Sequence, residues 1–237
     1  MERIDKVLSH QTVYSRKEIK ELIHQKKVRI NEKIVTKGEE KLDSKTDHIY
    51  LDEKEIKIQK NIYLLLYKPK GYVSATTDAY EKTVLELVPE EWRHRDLFPA
   101  GRLDKDTTGM MILTDDGNFA HNILSPKKHI QKSYEVEINI PLTKEMQEDF
   151  EKGVILGDGI CKPAKLEITD PHHALVTLTE GRYHQIKRMF EKHNAKVTEL
   201  KRVRMGNFFL PKNMKEYDIR EISSKELEQI QEKEENK

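Results

Sequence analysis

Cysteine is nearly absent from this chain of 237 residues, since Cys161 is the only one. A single thiol excludes an intrachain disulfide and a cysteine-rich zinc site. Long apolar stretches are also missing, because no run approaches the roughly 18 residues that a membrane-spanning helix needs. The start of the chain, MERIDKVLSH, lacks the apolar segment of a signal peptide. We therefore expect a cytoplasmic protein with no membrane partner.

A formal net charge of only +1 conceals an uneven distribution of charge. Residues 216–237 contain eight acidic and four basic side chains, whereas residues 181–204 contain eight Lys or Arg and two Glu. Residues 1–33 contain nine basic and five acidic side chains. Two basic regions far apart in the sequence are typical of a protein that binds a polyanion, and nucleic acid is the obvious one. An ordinary solvated surface rich in lysine is the alternative.

Periodicity and turn residues predict two domains and a tail. The first predicted elements are helices at 3–9 and 15–25, a hairpin at 28–35 and a strand at 48–52. A charged linker follows them, so a small domain is predicted over 1–58. Over 59–222, strands outnumber helices in a mixed, mainly antiparallel order, which is typical of an α+β domain. Residues 223–237 are predicted to form an acidic helix or tail, and no heptad repeat indicates oligomerisation, so a monomer is expected.

The most informative stretch is GRLDKDTTGMMILTDDG, residues 101–117, in which a polar loop precedes an apolar strand. Asp104 lies between Arg102 and Asp106, and an aspartate among such partners can stay ionised and act as a nucleophile or base. The alternatives are a metal pair, a general acid, and a plain cap or turn. A metal is a weaker alternative because Lys105 separates the two acids and no third carboxylate is adjacent.

At this stretch the chain resembles the pseudouridine synthases, in the branch typified by the small-subunit ribosomal RNA enzyme. Three further stretches agree in order, namely KPKG (68–71), KSYEVEI (132–138) and LTEGRYHQIKRMF (178–190). Residues 1–57 are similar to the alpha-L RNA-binding module of a small-subunit ribosomal protein, through RIDKVL, SRKEIKELI and VRINEKIV. The resemblance covers nearly the whole chain, and four ordered motifs with an added module are far more specific than one motif.

The resemblance implies roles for individual residues. It maps the catalytic aspartate to Asp104, a tyrosine that stacks on the base to Tyr134, and the basic partner of the aspartate to Lys187, with Arg188 as the alternative partner. Arg102 is expected either to fill the space that the uridine leaves or to form an ion pair with a neighbouring aspartate. Ordinary packing in a strand is the alternative for Tyr134. The implied reaction breaks the C1′–N1 bond of a uridine and rejoins the base through C5, without a metal or other cofactor.

The remaining expected contacts to RNA are basic side chains. Lys68 in KPKG is expected to contact phosphate near the cleft, with a simple turn as the alternative, and Arg182 and Arg188 are expected to line the entrance. The phosphate contacts of the front module are expected from Arg3, Arg16, Lys17 and Lys20. His184 and His193 lack the partners of a zinc site.

The preferred hypothesis is site-specific isomerisation of one uridine to pseudouridine in small-subunit (16S) ribosomal RNA. The expected partner is ribosomal RNA or a small-subunit assembly intermediate. The alternatives are a large-subunit (23S) enzyme of the same family, a non-catalytic ribosomal RNA-binding or assembly protein, and a hydrolase with paired carboxylates. The hydrolase is the weakest alternative, because such enzymes keep one carboxyl protonated and the nearby basic residues favour two ionised acids.

Overall fold

The computed structural model describes residues 1–125 and 128–232, which fold into two compact units. The first unit contains Met1–Ile62 and Val88–Leu97, and the second contains Tyr63–Leu87 and the described residues from Phe98 onward. The boundary expected near residue 58 assigned Val88–Leu97 to the second domain, whereas the chain returns to the first unit at this segment. Within the described ranges, no helix has the length and apolar character needed to span a membrane.

The first unit combines short helices with short strands. Its elements are β1 (Glu2–Arg3), α1 (Ile4–Gln11), α2 (Arg16–His24), β2 (Val28–Ile30), β3 (Lys33–Ile34), β4 (Lys41–Leu42), β5 (Ile49–Leu51) and β6 (Lys54–Ile56). Helix α2 begins with a capping box, because Ser15 Oγ accepts the Glu18 N–H at 3.3 Å and the Glu18 carboxylate accepts the Ser15 N–H at 2.7 Å. Strands β3, β2, β5 and β6 form an antiparallel sheet in that order, and β1 pairs with β4.

Aliphatic side chains from the helices and the sheet form the core of the first unit. Its fully buried members include Ile4, Leu8, Ile19, Val28, Leu42 and Ile49. Val88–Leu97 is fixed to this unit through Arg95, which is only 6% exposed. Its Nη1 donates to the carbonyls of His10 and Gln59 at 3.1 Å, and its Nη2 donates to the Lys60 carbonyl at 3.0 Å. Because a buried cation must be hydrogen-bonded, these contacts explain why the segment packs here.

The described residues of the second unit form a nine-stranded sheet. Its strands are β7 (Tyr63–Lys68), β8 (Phe98–Pro99), β9 (Thr108–Thr114), β10 (Lys132–Ile138), β13 (Lys165–Ile168), β14 (His173–Leu178), β15 (Val197–Met205), β16 (Phe208–Phe209) and β17 (Ile219–Glu221), and a separate hairpin consists of β11 (Ile155–Leu156) and β12 (Gly159–Ile160). The main order is β13-β14-β10-β15-β9-β7-β17, with β8 beside β9 and β16 beside β15. Every neighbouring pair is antiparallel except β15 and β9, which confirms the predicted mixed, mainly antiparallel sheet.

Helices cover this sheet and connect its strands. They are α3 (Gly117–Leu124), α4 (Lys144–Lys152), α5 (Gln185–Glu191) and α6 (Ser224–Gln231), with a single 3-10 turn at Val84–Leu87. Asp116 caps α3, because its carboxylate accepts the N–H groups of Asn118 and Phe119 at 3.0 Å. One core contains Phe119 from α3, Ile112 from β9 and Ile230 from α6. The predicted acidic helix or tail therefore begins as α6, and residues 233–237 lie outside the described residues.

Candidate active site

A cleft of about 580 Å³ lies in the second unit, where three of the four sequence motifs meet. Arg102 and Asp104 reach it from the loop 101–107, Tyr134 reaches it from β10, and Arg182 reaches it from the segment before α5. The fourth motif, KPKG, contributes no lining residue, although Val73 and Ser74 just after it do. Three motifs that are spread over residues 101–190 of the chain therefore surround one cavity.

Asp104 has two basic partners, one within α5 and one directly before it. The Lys187 ammonium lies 3.1 Å from one carboxylate oxygen of Asp104, and His184 Nε2 lies 3.4 Å from the other. The Asp104 side chain is 26% exposed, so a ligand in the cleft can reach it. A carboxylate held by two nitrogen donors has a fixed orientation, which suits a nucleophile or a base. Lys187 therefore occupies the position that the sequence assigned to the basic partner.

Asp106 shares the same ammonium. Its carboxylate lies 2.6 Å from Lys187 Nζ, and its side chain is 68% exposed. Partial burial disfavours the charge of Lys187, but the hydrogen bonds to Asp106 and Asp104 outweigh it, so the pKa of Lys187 lies above its ordinary value. Burial likewise disfavours the Asp106 carboxylate, and the bond to Lys187 reverses the effect, so the pKa of Asp106 lies below its ordinary value. The Lys187 ammonium therefore lies between the carboxyl groups of Asp104 and Asp106, next to the cleft.

Lys68 is an internal support of the loop 101–107. Its side chain is fully buried, and its ammonium donates to the carbonyls of Pro69, Lys105 and Thr107 at 3.0, 3.3 and 2.8 Å. Gly71, at φ +90°, adds a main-chain bond to the Lys105 carbonyl at 2.8 Å. The expectation that Lys68 contacts phosphate is therefore wrong, because all of its donors point at backbone oxygens. Burial lowers the pKa of Lys68 to about 8.

Ser74 forms a second set of hydrogen bonds to the same loop. Ser74 Oγ donates to the Leu103 carbonyl at 2.7 Å and accepts the Leu103 N–H at 2.9 Å. The Thr107 N–H donates to the Asp104 carbonyl at 3.1 Å, which closes a turn around the aspartate. The main chain on both sides of Asp104 is thus hydrogen-bonded to other parts of the fold. Such anchoring holds a reacting group within the small tolerance that catalysis needs.

Tyr134 forms part of the cleft floor. It is 8% exposed, and its main chain pairs with Val176 of β14 and Arg202 of β15. Its hydroxyl makes no hydrogen bond to any other residue in the described ranges 1–125 and 128–232. A tyrosine with a mostly buried ring and a free hydroxyl can support a planar ligand in the cleft. This placement agrees with a role in stacking on the base.

Arg102 also lines the cleft and is exposed to solvent. Among the residues that the structure describes, its guanidinium forms no ion pair and no hydrogen bond. The alternative role, an ion pair with Asp104 or Asp106, is therefore absent from this structure. An arginine without a partner beside a cleft keeps its five donors available for a ligand.

Arg182 and Arg188 bind the β11–β12 hairpin. Arg182 Nη1 donates to the Gly159 carbonyl at 3.1 Å and Nη2 to the Ile160 carbonyl, while Arg188 pairs with Asp158. The expectation that Arg188 is the alternative partner of Asp104 is therefore wrong, because Arg188 pairs with Asp158. Arg182 lines the cleft as expected, yet its donors face the hairpin. No repeated pattern in the sequence could reveal this hairpin, because its strands are two residues long.

His184 is a site residue that sequence reasoning missed, since it was considered only as a zinc ligand. It caps the start of α5 in a left-handed conformation, at φ 48°, and this places its ring beside Asp104. The exposed ring of Tyr183 stacks on it, with centroids 3.8 Å apart. A non-glycine residue in this conformation is uncommon and often marks a functional position. Only its location in HQIK could have indicated this from sequence.

Two further cations, Lys132 and Arg202, lie on the cleft floor and were not anticipated. The Lys132 ammonium donates to the carbonyls of Ile123 and Ile130 at 3.4 and 3.3 Å. Burial, together with the charge of Arg202, lowers the pKa of Lys132 to about 8. In the described part of the chain, no group of three or more His, Cys, Asp or Glu side chains could hold a metal ion.

The basic residues of the first unit divide into two kinds. Arg3 pairs with Asp5 at 2.8 Å and with Glu39 at 3.1 Å, so its charge is largely neutralised. The α2 basic group is exposed and has no ion pair with any described residue; it consists of Arg16, Lys17 and Lys20. This group can meet phosphates without first breaking an internal contact.

Comparison with known proteins agrees with this arrangement. Residues 62–192 match the family described as RNA pseudouridylate synthase, and residues 2–49 match the S4 domain. An uncharacterized RNA pseudouridine synthase of Bacillus subtilis is 39% identical, over 97% of this chain and 98% of that protein. Ribosomal small subunit pseudouridine synthase A of Escherichia coli strain K12 is 36% identical, over 96% of this chain and 99% of that protein.

A solved structure supports the same assignment. The crystal structure of a pseudouridylate synthase superposes with a TM-score of 0.69 at 34% identity, and it covers 97% of this chain and 100% of its own. Sequence motifs, fold and cleft agree with each other over nearly the full length. The chain therefore belongs to the RNA pseudouridylate synthase family, carries an N-terminal S4 domain and is an RNA pseudouridine synthase, as its sequence motifs predicted.

Proposed function

We propose that this pseudouridine synthase isomerises one uridine of small-subunit ribosomal RNA, with Asp104 as its nucleophile. The carrying observation is that Asp104, its partner Lys187 and the tyrosine Tyr134 come together at one cleft in a chain that aligns end to end with small-subunit enzymes. Relatives from Yersinia pestis and Pasteurella multocida also bear the name ribosomal small subunit pseudouridine synthase A. A binding protein needs no such set of side chains.

The chemistry requires an ionised carboxylate. The bond between C1′ and N1 breaks, a bond between C1′ and C5 forms, the C5 proton leaves and N1 gains a proton, so that the product is an isomer of the substrate. Asp104 can supply its electron pair at C1′, at the base, or by removing a sugar proton, and each route begins from the carboxylate form. Lys187 and His184 orient that carboxylate. The reaction needs neither an oxidant nor a reductant, and we propose a monomer that works without a metal or organic cofactor.

The reacting base must leave its stack before it can enter the cleft. Extrusion of a base costs a few kcal/mol, and contacts to the protein offset that cost. In this proposal Tyr134 stacks on the uracil, and Arg102 fills the position that the nucleotide vacates. The exposure of Arg102 and its lack of internal partners among the described residues support this role.

The S4 domain anchors the RNA in this proposal. The exposed α2 basic group neutralises phosphates, which supplies affinity that depends on salt and carries no sequence information. Folded RNA is then recognised largely by its shape. Arg3 contributes less, because Asp5 and Glu39 already hold its guanidinium.

Pseudouridine mapping in cells tests the proposal. Carbodiimide treatment followed by primer extension is applied to both ribosomal RNAs from cells with and without the gene. We expect one small-subunit stop to disappear, to return with the wild-type gene, and to stay absent with Asp104→Asn. Asp149→Asn, an exposed substitution on α4, is the matched control and should restore the stop.

The other outcomes separate the alternatives. Loss of a large-subunit stop would keep the chemistry and overturn the substrate. An unchanged pattern in both RNAs would favour a binding or assembly role. Restoration of the stop by Asp104→Asn would refute the nucleophile assignment alone.

A further inference from the structure

A row of paired residues across the sheet ends at the cleft, where Arg202 and Tyr134 line it. Lys68 of β7 pairs with Gly109 of β9, Gly109 pairs with Arg202 of β15, and Arg202 pairs with Tyr134 of β10. Residues that are directly opposite in neighbouring strands project to the same face. Gly109 lacks a side chain, and a Cβ there would lie 2.3 Å from the Arg202 carbonyl oxygen. Arg202 therefore has Gly109 as its neighbour on one adjoining strand and Tyr134 as its neighbour on the other.

Arg202 is a buried cation with few partners. It is 1% exposed, its Nε donates to the Met110 carbonyl at 2.8 Å, and its Nη2 is buried without a hydrogen-bond partner. In the described ranges, no carboxylate lies within 4.0 Å of its guanidinium. Burying a charge without a matching anion or enough acceptors costs free energy of folding, so most buried charges in proteins are paired or fully hydrogen-bonded. Its retention at a cleft calls for an acceptor that arrives with the substrate.

The two neighbouring lysines, in contrast, already have hydrogen-bond acceptors. Lys132 and Lys68 both direct their ammonium groups to backbone carbonyls. Arg202 alone among these three lines the cleft with a buried donor that has no acceptor. The missing acceptor is therefore most simply an oxygen of the base that rests on Tyr134.

We propose that Arg202 determines base specificity by donating a hydrogen bond to the O4 carbonyl of the uracil. This inference rests on the proposed seating of the base on Tyr134. Asp104, 26% exposed, must reach the sugar side of the nucleotide, whereas Arg202 lies at the buried end of the same cleft. O4 lies on the part of the ring far from the sugar, so it enters deepest. Cytosine carries an amino group at this position, and its donors would oppose those of the guanidinium.

The chemistry of the reaction adds a reason for a carbonyl-binding donor here. After the C1′–N1 bond breaks, the base turns about the axis through N3 and C6, so that C5 replaces N1 beside C1′. The same half-turn exchanges the two carbonyls, and O2 then occupies the place that O4 has left. A single donor at Arg202 therefore contacts an acceptor before and after the turn. Cytosine offers an acceptor in only one of the two orientations.

The test measures nucleotide preference apart from turnover. Uridine 5′-monophosphate, cytidine 5′-monophosphate and the 5′-monophosphate of the pyrimidin-2-one riboside, which lacks O4, are titrated into the full-length protein and followed by NMR. We expect the wild type to bind the uridine nucleotide about tenfold more tightly than either other nucleotide, as a hydrogen bond to a charged donor implies. Arg202→Gln should reduce this preference to less than twofold. Arg204→Gln, two residues along β15 and outside the cleft lining, is the matched control and should keep it.

A second variant guards against misfolding. Arg202→Lys keeps the buried charge and should lower the preference for the uridine nucleotide at least threefold. Thermal unfolding monitored by circular dichroism shows which variants are folded. A wild type that does not distinguish the nucleotides, or a folded Arg202 variant with the wild-type preference, overturns the inference. The Asp104→Asn variant should keep the preference while losing turnover. A protein that leaves ribosomal RNA unmodified but prefers the uridine nucleotide through Arg202 would overturn the proposed function and support this inference.

Discussion

Lys68→Met removes the ammonium that joins the loop 101–107 to β7. The substitution keeps an unbranched side chain of similar length, so the change in volume is small. Two roles for Lys68 predict different results. A phosphate contact would lower RNA affinity and its salt dependence, whereas an internal support would lower stability and turnover. The three bonds from its ammonium to backbone carbonyls favour the second role.

The size of the effect follows from those bonds. A buried carbonyl left without a donor costs about 1–3 kcal/mol. The Lys105 carbonyl keeps the Gly71 N–H, so loss of the bonds to the other two carbonyls costs on the order of 2–6 kcal/mol. Removal of a buried charge offsets part of this. Burial lowers the pKa of Lys68 from 10.5 to about 8, and that difference corresponds to about 3 kcal/mol. We expect a net loss of up to roughly 3 kcal/mol in the free energy of unfolding.

The same pKa gives a dependence on pH with a defined sign. Between pH 8 and 10.5 the unfolded chain binds the Lys68 proton and the folded chain does not, so the free energy of unfolding rises with pH in that interval. Each such lysine contributes up to about 1.4 kcal/mol per pH unit. Lys132, whose pKa is also about 8, contributes in the same way. The slope of the wild type should therefore exceed that of Lys68→Met, because the raised pKa of the Cys161 thiol, which acts in the opposite direction, is common to both proteins.

Urea unfolding at several pH values, single-turnover isomerisation and RNA binding at two salt concentrations are the assays. Lys70→Met is the matched control, because Lys70 belongs to the same KPKG motif but is half-exposed and pairs with Glu199 at the surface. It should change the free energy of unfolding by less than about 0.5 kcal/mol. The reasoning is refuted if Lys68→Met leaves stability intact and instead weakens RNA binding with a shallower salt dependence.

Four further results are expected. Asp104→Asn should abolish isomerisation while RNA affinity stays within a few fold, as measured by single-turnover assays and filter binding. Lys187→Met should lower the single-turnover rate about 10- to 100-fold by removing the partner of Asp104, and Lys187→Arg should recover part of it. Gly109→Ala should cost several kcal/mol, roughly the range for strained backbone and overpacking together, because its Cβ meets the Arg202 main chain; urea unfolding measures this. Neutralising the three residues of the α2 basic group should flatten the dependence of RNA affinity on salt, with the rate at saturating RNA unchanged.

Sequence reasoning predicted the site where a motif fixes both residue type and position. Asp104 and Lys187 lie in short strings that match the motifs of the family, and the structure brings their charged groups to 3.1 Å, while the order of the strings along the chain predicted the fold. The capping box at Ser15 was readable for a related reason, since its hydrogen bonds join residues three apart. Local spacing is sufficient information in both cases.

What sequence reasoning missed depends on tertiary register. Lys68 in KPKG has the composition of a surface turn, yet strand β7 directs its side chain inward toward carbonyls of a distant loop. Arg188 lies in a basic string that is typical of an RNA contact, yet it forms an ion pair with Asp158, 30 residues away. Arg202 belongs to a basic string, and only pairing with Tyr134 reveals which face it occupies. Side-chain direction in a sheet alternates with each residue, so a shift of one position would reverse the assignments of Lys68 and Arg202. The assignment of Arg188 depends instead on the β11–β12 hairpin that lies beside α5.

The anchoring of the loop 101–107 has a consequence for how such an enzyme can change over time. Lys68, Gly71 and Ser74 hold the loop almost entirely through its main-chain atoms. The path of the loop is therefore largely independent of the side chains that it displays. An outward-facing position such as Lys105, which pairs with Glu81, can be exchanged for a residue that suits a different RNA neighbourhood, while Asp104 keeps its place. We therefore expect that such exchanges can change contacts to RNA without moving Asp104.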